Sequence, residues 1–129
     1  MQNIELVSIP TAKDERGWVI SPPVIEDFGD ACLHIPSLKP KAVRGNHYHD
    51  VHTESVIILG GKCLVATRNT ETNHYEEFIY DGINKQLLVI NPKITHTFKN
   101  VDYHSIYLVC YYQGPKGISI SSISDRILS

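Results

Sequence analysis

Three histidines fall in one short stretch, Arg44-Gly45-Asn46-His47-Tyr48-His49-Asp50-Val51-His52-Thr53-Glu54. His47 and His49 are two positions apart, so on a β-strand both imidazoles point to one face. Glu54 stands an odd number of positions from His49 and would face the other way if the strand simply continued. A turn or bulge at Asp50-Val51-His52-Thr53 would reset that parity, and Glu54 would open a new strand with Val56 and Ile58 on its face. Downstream, His96 shares a face with Ile94 and Phe98. Three imidazoles and a carboxylate that converge can hold one divalent cation: zinc first, with nickel, iron or manganese as alternatives. A cation so held keeps net positive charge and can accept a water or a carbonyl oxygen. The opposing possibility is that each histidine only packs in its own strand. Spacing alone leaves both open for His47, His49, Glu54 and His96. His34, His74 and His104 are read as incidental, and His52 as a candidate lining of the same pocket.

The elements that must place these groups read as strands. Short runs rich in Val, Ile, Tyr and Thr recur at residues 55–59, 63–67, 86–90 and 105–112. Each has strand length and is bounded by turn signals such as Gly60-Gly61, Arg68-Asn69-Thr70, Asp81-Gly82, Asn91-Pro92 and Asn100-Val101-Asp102. No apolar pattern of helical period persists beyond about two turns with caps at both ends. Many short strands point to an antiparallel all-β sandwich or barrel. Several strands are apolar on both faces, and a partner subunit could cover one of them, so a homodimer is expected. Residues 113–129 are Ser/Ile-rich and fit a last strand, a short helix or a tail.

Composition narrows the classes. The chain has 129 residues, 42% of them hydrophobic and 20% charged, enough to bury one core. A net charge of -2 argues against a nucleic-acid partner, which calls for a basic patch. No apolar run is long enough to span a bilayer, and the first residues lack a signal-peptide pattern, so a cytoplasmic protein without membrane contact is expected. Cys32, Cys63 and Cys110 are odd in number and beside apolar neighbours, which reads as buried free thiols rather than a thiolate metal site.

The two histidine motifs resemble those of the cupin superfamily. The first cupin motif, His-x-His followed by Glu and then Gly, is matched by His47, His49, Glu54 and Gly61. The second is matched in type and order by Pro92, His96 and Asn100. Two turn glycines of the pattern are missing: Lys41 stands for one, and none follows Pro92. The resemblance implies a cupin jelly-roll β-barrel over residues 1–129, with N-terminal strands in 1–40, the motifs in 41–112 and a tail in 113–129. Arg44-Gly45-Asn46-His47-Tyr48-His49 and the upstream Asp14-Glu15-Arg16-Gly17 also resemble the nucleotide-sugar branch. That branch includes the dTDP-4-dehydrorhamnose 3,5-epimerases, the dTDP-keto-sugar isomerases and the C-terminal cupin of capsular-polysaccharide enzymes acting on UDP-linked keto-amino sugars.

This resemblance implies an epimerase or ketoisomerase of a dTDP- or UDP-linked 4-keto sugar in surface-polysaccharide synthesis. Arg44, and less directly Arg16, would contact the diphosphate, which a guanidinium suits bidentately. His47 matches the proton-abstracting histidine of the metal-free epimerases but a metal ligand of the capsule-type cupins. With His49, Glu54 and His96 also present, the sequence sides with the metal-binding branch. A separate base is then required, for which His52 is the candidate, with Tyr48, Tyr107 and Tyr112 as candidate acids or stacking platforms. Two other classes use the same residues: a non-catalytic cupin binding a sugar or metabolite, and an iron-dependent cupin dioxygenase.

Overall fold

The computed structural model describes residues 1–22 and 33–129. Cys32 lies outside the described residues. The strands are β1 (Glu5–Ser8), β2 (Thr11–Asp14), β3 (Gly17–Ile20), β4 (Leu33–His34), β5 (Ser37–Leu38), β6 (Val43–Tyr48), β7 (Thr53–Leu59), β8 (Lys62–Asn69), β9 (Tyr75–Asp81), β10 (Gln86–Ile90), β11 (Ile94–Asn100), β12 (Ile106–Gln113) and β13 (Ile123–Ser124). A single 3-10 turn, Gly82–Asn84, joins β9 to β10.

Two antiparallel sheets face each other. One runs β1-β10-β7-β12-β4, with β5 also on β12; the other runs β13-β6-β11-β8-β9. The chain crosses repeatedly between them, as in a cupin jelly roll, so the expected all-β barrel is the observed fold. The strands predicted at residues 55–59, 63–67, 86–90 and 105–112 are β7, β8, β10 and β12. The Gly60-Gly61 turn joins β7 to β8, and Asn91-Pro92 opens the turn before β11.

Side-chain alternation explains the core. Val56 and Ile58 on β7 point between the sheets and pack with Val65, Leu88, Ile90, Phe98, Ile106 and Leu108. Ile57, Leu87 and Tyr111 point to the other face of the first sheet, where Ile9 and the partly buried Ile20 cover them. Those covering residues flank the β2–β3 hairpin, so part of the two-sided burial is met within the chain. Cys63 and Cys110 are buried free thiols.

The tail is a strand. β13 pairs with the outer edge of β6, Ile123 opposite Tyr48 and Ser124 opposite His47. Among the described residues no helix is long and apolar enough to cross a membrane.

Candidate metal centre and cavity

The site is built around a bulge in β6. His47 pairs with His96 of β11, while the next β11 residue, Thr97, pairs with Gly45, so Asn46 is the extra residue. Gly45 has φ 103° and Asn46 φ 56°. Gly tolerates that region freely and Asn better than most side chains, because its short amide can bond locally. The extra residue changes the parity. Arg44 lies opposite Phe98, and His47 opposite His96, so both face the interior although three positions apart. A regular strand would have sent them to opposite faces.

The chain then bends through residues 50–52 and crosses to the other sheet as β7. Glu54 opens that strand on the interior face, opposite Tyr112 of β12 and Ile90 of β10. The parity reset expected between His49 and Glu54 is therefore a turn between sheets.

His47, His49, Glu54 and His96 come together at the end of the barrel, each offering one ligand atom within 4.8 Å of the others. Imidazole centroids lie 4.8 to 5.4 Å apart. His49 and Glu54 are each 3% exposed and His96 only 1%. His49 Nδ1 donates to the Ser121 carbonyl at 2.9 Å, and His96 Nδ1 to the Ile94 carbonyl at 3.0 Å. A carbonyl can only accept, so both rings carry a proton on Nδ1 and present Nε2 inward. Glu54 Oε2 lies 2.5 Å from His96 Nε2 and 3.7 Å from His49 Nε2. These three buried atoms have no hydrogen-bond partner. A carboxylate facing two ring nitrogens in a dry site calls for a cation or a proton between them. The residues thus fit a divalent metal, with carbonyls fixing the rings from behind as in many metal sites.

Without a metal, a proton competes for the same place: burial lowers His49, but Glu54 and the Ser121 carbonyl outweigh it and raise the ring above its ordinary value. Burial and the neighbouring His96 and His49 push His47 down to about 4, so its ring is neutral near pH 7. Burial alone would raise Glu54, but His96 and His49 outweigh it and hold the carboxyl well below its ordinary range.

A cavity of about 320 Å³ opens onto the ligands, lined by Arg44, His47, Glu54, His96, Tyr112 and His34, with Val43, Phe98, Leu108 and Cys110 as its apolar wall. Arg44 is exposed and donates through Nε to the Ser37 carbonyl at 2.9 Å. Tyr112 stacks on His34, centroids 5.3 Å apart at 16°, and stands edge-on to His49 at 5.0 Å. Burial and then the Glu54 carboxylate raise the Tyr112 phenol, so it stays protonated.

Other candidates lie elsewhere. His52 is buried, but its ring packs against Gly114 and is not among the residues lining the cavity. Tyr48 is partly buried beside β13 and also lies off the cavity wall. Arg16 sits on the β2–β3 hairpin, tied to Asp14 at 2.5 Å, away from the metal-type residues. Tyr107 is 49% exposed, outside the cavity. His34 is the residue that the sequence reading set aside. Only the pairing of β4 with β12, which puts His34 opposite Cys110, brings it to the wall, and nothing local in Leu33-His34-Ile35 signals it.

Comparison with known proteins was made against this geometry. A curated relative from Pseudomonas aeruginosa, UDP-2-acetamido-2,6-beta-L-arabino-hexul-4-ose reductase, is 27% identical over 93 residues, covering 72% of this chain. The chain spans only 24% of that protein's length. Among solved structures, a 3,4-ketoisomerase from Helicobacter canadensis superposes with TM-score 0.74 at 18% identity, over 97% of this chain and 92% of the other. The dTDP-6-deoxy-D-glucose-3,5-epimerase RmlC of Legionella pneumophila, solved with dTDP-4-keto-L-rhamnose, superposes with TM-score 0.69 at 15% identity, over 87% and 72%. The likeness in fold thus extends over most of the chain. Residues 12–115 match the model of the polysaccharide biosynthesis C-terminal domain, and the chain belongs to that family.

Proposed function

We propose that this domain is a metal-dependent epimerase or isomerase of a nucleotide-linked 4-keto sugar, serving surface-polysaccharide synthesis. One observation carries the reading: a single cavity joins a ready metal donor set to an arginine and to an imidazole–phenol pair that the donor set does not use. Zinc is the first choice, since three imidazoles and one carboxylate suit it; nickel, iron or manganese fit less closely. The metal, when bound by His47, His49, Glu54 and His96, supplies a Lewis acid for the sugar carbonyl.

The chain's own groups supply the rest. Arg44, at the cavity edge, would clamp the diphosphate of a dTDP- or UDP-sugar. Epimerisation beside a ketone removes a proton from carbon and returns it to the other face or to another carbon. His34 is the imidazole on the wall outside the ligand set and would take that proton. Tyr112, kept protonated, would donate to the developing oxyanion. A homodimer belongs to the same reading; exposed Leu33, Ile35 and Tyr107 beside the β4 and β12 edge would be its apolar seam.

Incubation with dTDP- and UDP-4-keto sugars in deuterium oxide tests the activity. Deuterium should enter the carbon beside the ketone, and His34→Asn should abolish that exchange while His52→Asn keeps it. Tight nucleotide-sugar binding without exchange in the parent would make the domain a binding module instead. Metal analysis of untagged protein should give close to one divalent ion per chain, lost in His49→Ala, and light scattering reads the dimer.

A further inference from the structure

The C-terminal residues reach the ligand cluster from behind. The Ser121 carbonyl is the acceptor that fixes the tautomer and orientation of His49. It is exposed peptide in a segment without a helix, so other contacts must hold it there. Two sets do so. Asp125 accepts from Thr95 Oγ1 at 2.5 Å and forms an ion pair with Arg68. Its backbone amide donates to the Asn46 carbonyl at 2.8 Å. The Asn46 side chain completes the clasp: Oδ1 accepts from the amides of Ile127 at 2.9 Å and Leu128 at 3.0 Å, and Nδ2 donates to the Leu128 carbonyl at 2.9 Å.

Apart from Arg68, which pairs with Thr95 across β8 and β11, every anchor of this segment is a neighbour of a metal-type residue. Asn46 precedes His47, and Thr95 precedes His96. Ser124 pairs with His47 itself. Asn46 is also the bulge residue, so the feature that turns His47 inward is the one that grips the tail.

We propose that residues 121–128 are a positioning element for the metal centre, so that docking of this segment and occupancy of the His47, His49, Glu54 and His96 site are linked. The inference rests on the metal reading above. A bound metal fixes His49 and so favours the docked tail; a docked tail holds the Ser121 carbonyl on His49 Nδ1 and so favours the metal. Linkage makes the two effects equal. Undocking the segment would therefore weaken metal binding, and metal loss would loosen the segment, by the same factor.

The test uses the full chain, with zinc as the probe and no activity assay. Hydrogen exchange at the Asp125, Ile127 and Leu128 amides is compared with and without zinc, and zinc affinity is measured by competition with a chelator. Zinc should slow these amides by about tenfold, and Asp125→Ala should weaken zinc binding by about the same factor, the size seen for groups that orient metal ligands. Asp14→Ala, which breaks the hairpin ion pair far from the site, should bind zinc as the parent does. The exchange arm needs no variant, so it stands even if Asp125→Ala fails to fold. One His49-dependent zinc per chain with unchanged tail exchange overturns the linkage alone. A parent that binds no zinc overturns the metal reading itself, and the linkage with it.

Discussion

Gly45→Ala isolates the bulge on which the cavity depends. Gly45 has φ +103°, and a Cβ there would lie 2.6 Å from the His96 carbonyl oxygen and 3.1 Å from Thr97 Cα. Both atoms are backbone of a central strand, so no rotamer can relieve the contact. The sparsely populated dihedral costs about 1–3 kcal/mol, and moving β6 away from β11 adds to it, for roughly 2–4 kcal/mol in all. Gly117 is the internal control: it has φ +78° but nothing within 4 Å of its would-be Cβ. Gly117→Ala therefore carries dihedral strain alone, about 1 kcal/mol. Urea denaturation of the metal-free proteins gives both values. Gly45→Ala should also melt about 10 °C lower than the parent. It should bind zinc more weakly as well, because the bulge aims His47 inward. Equal stability of the two variants, within about 0.5 kcal/mol, would refute the bulge argument.

Three further outcomes follow from burial and charge. Asn100 is fully buried, donating through Nδ2 to the Leu38 and His104 carbonyls and accepting from the Asp102 amide; Asn100→Ala should cost about 2–3 kcal/mol in denaturant unfolding, with full zinc stoichiometry retained. Burial pushes the Cys63 thiol up to about 12 and raises Cys110 further; site-resolved mass spectrometry should find both unmodified by iodoacetamide at pH 8 until the barrel unfolds. Burial raises Asp125, but Thr95 and Arg68 outweigh it and leave the carboxyl below its ordinary 3.8. Its contribution is thus complete above the unfolded value and lost as pH falls through the lower folded value. Comparing parent with Asp125→Asn should show a stability gap near neutral pH that closes as pH falls through and below the ordinary carboxyl value; a gap that widens in acid would contradict the assignment.

The interior of each sheet was legible because strand alternation is local. The runs that became β7, β8, β10 and β12 carry β-branched residues in sequence; period two plus one turn left the roles of His47, His49, Glu54 and His96 open, and the cupin resemblance singled them out. What the sequence hid is non-local. The parity of Arg44 against His47 depends on an unpaired residue, visible only when β6 lies on β11. His34 reaches the cavity only through β4 on β12, and His52 leaves it because Gly114 offers a gap that its ring fills. The two turns where the cupin pattern expects glycine are instructive. Lys41 has φ 69° and Lys93 φ 67°, so lysine holds both in the left-handed region. Backbone bonds impose the conformation: Lys41 N donates to the Asn100 carbonyl at 3.0 Å, and Lys93 N to the His49 carbonyl at 2.8 Å. The missing glycines therefore changed the local strain and left the loop path intact.

The division of labour between the sheets bears on how such a site can change its chemistry. Three of the four ligand-type residues come from the β6–β11 pair, clasped at its edge by β13; only Glu54 crosses from the other sheet. The pair proposed to handle the proton, His34 and Tyr112, lies on the β4–β12 edge. On the proposed reading, substitution along β4 would alter which sugar carbon is addressed without moving His47, His49 or His96, whereas a change at Asp125 acts on the ligand-type residues, and one at Asn46 also on Arg44 in the cavity wall. Glu54 is the joint: it faces His96 as a ligand-type residue and, from the same carboxylate, adds to burial in keeping Tyr112 protonated. Replacing it by Gln should thus weaken the metal and lower the Tyr112 pKa together. A tyrosine ultraviolet titration of Glu54→Gln against parent, both without metal, separates the second effect from the first. An unmoved Tyr112 would mean that burial alone holds the phenol, and that the two halves of the cavity are electrostatically independent.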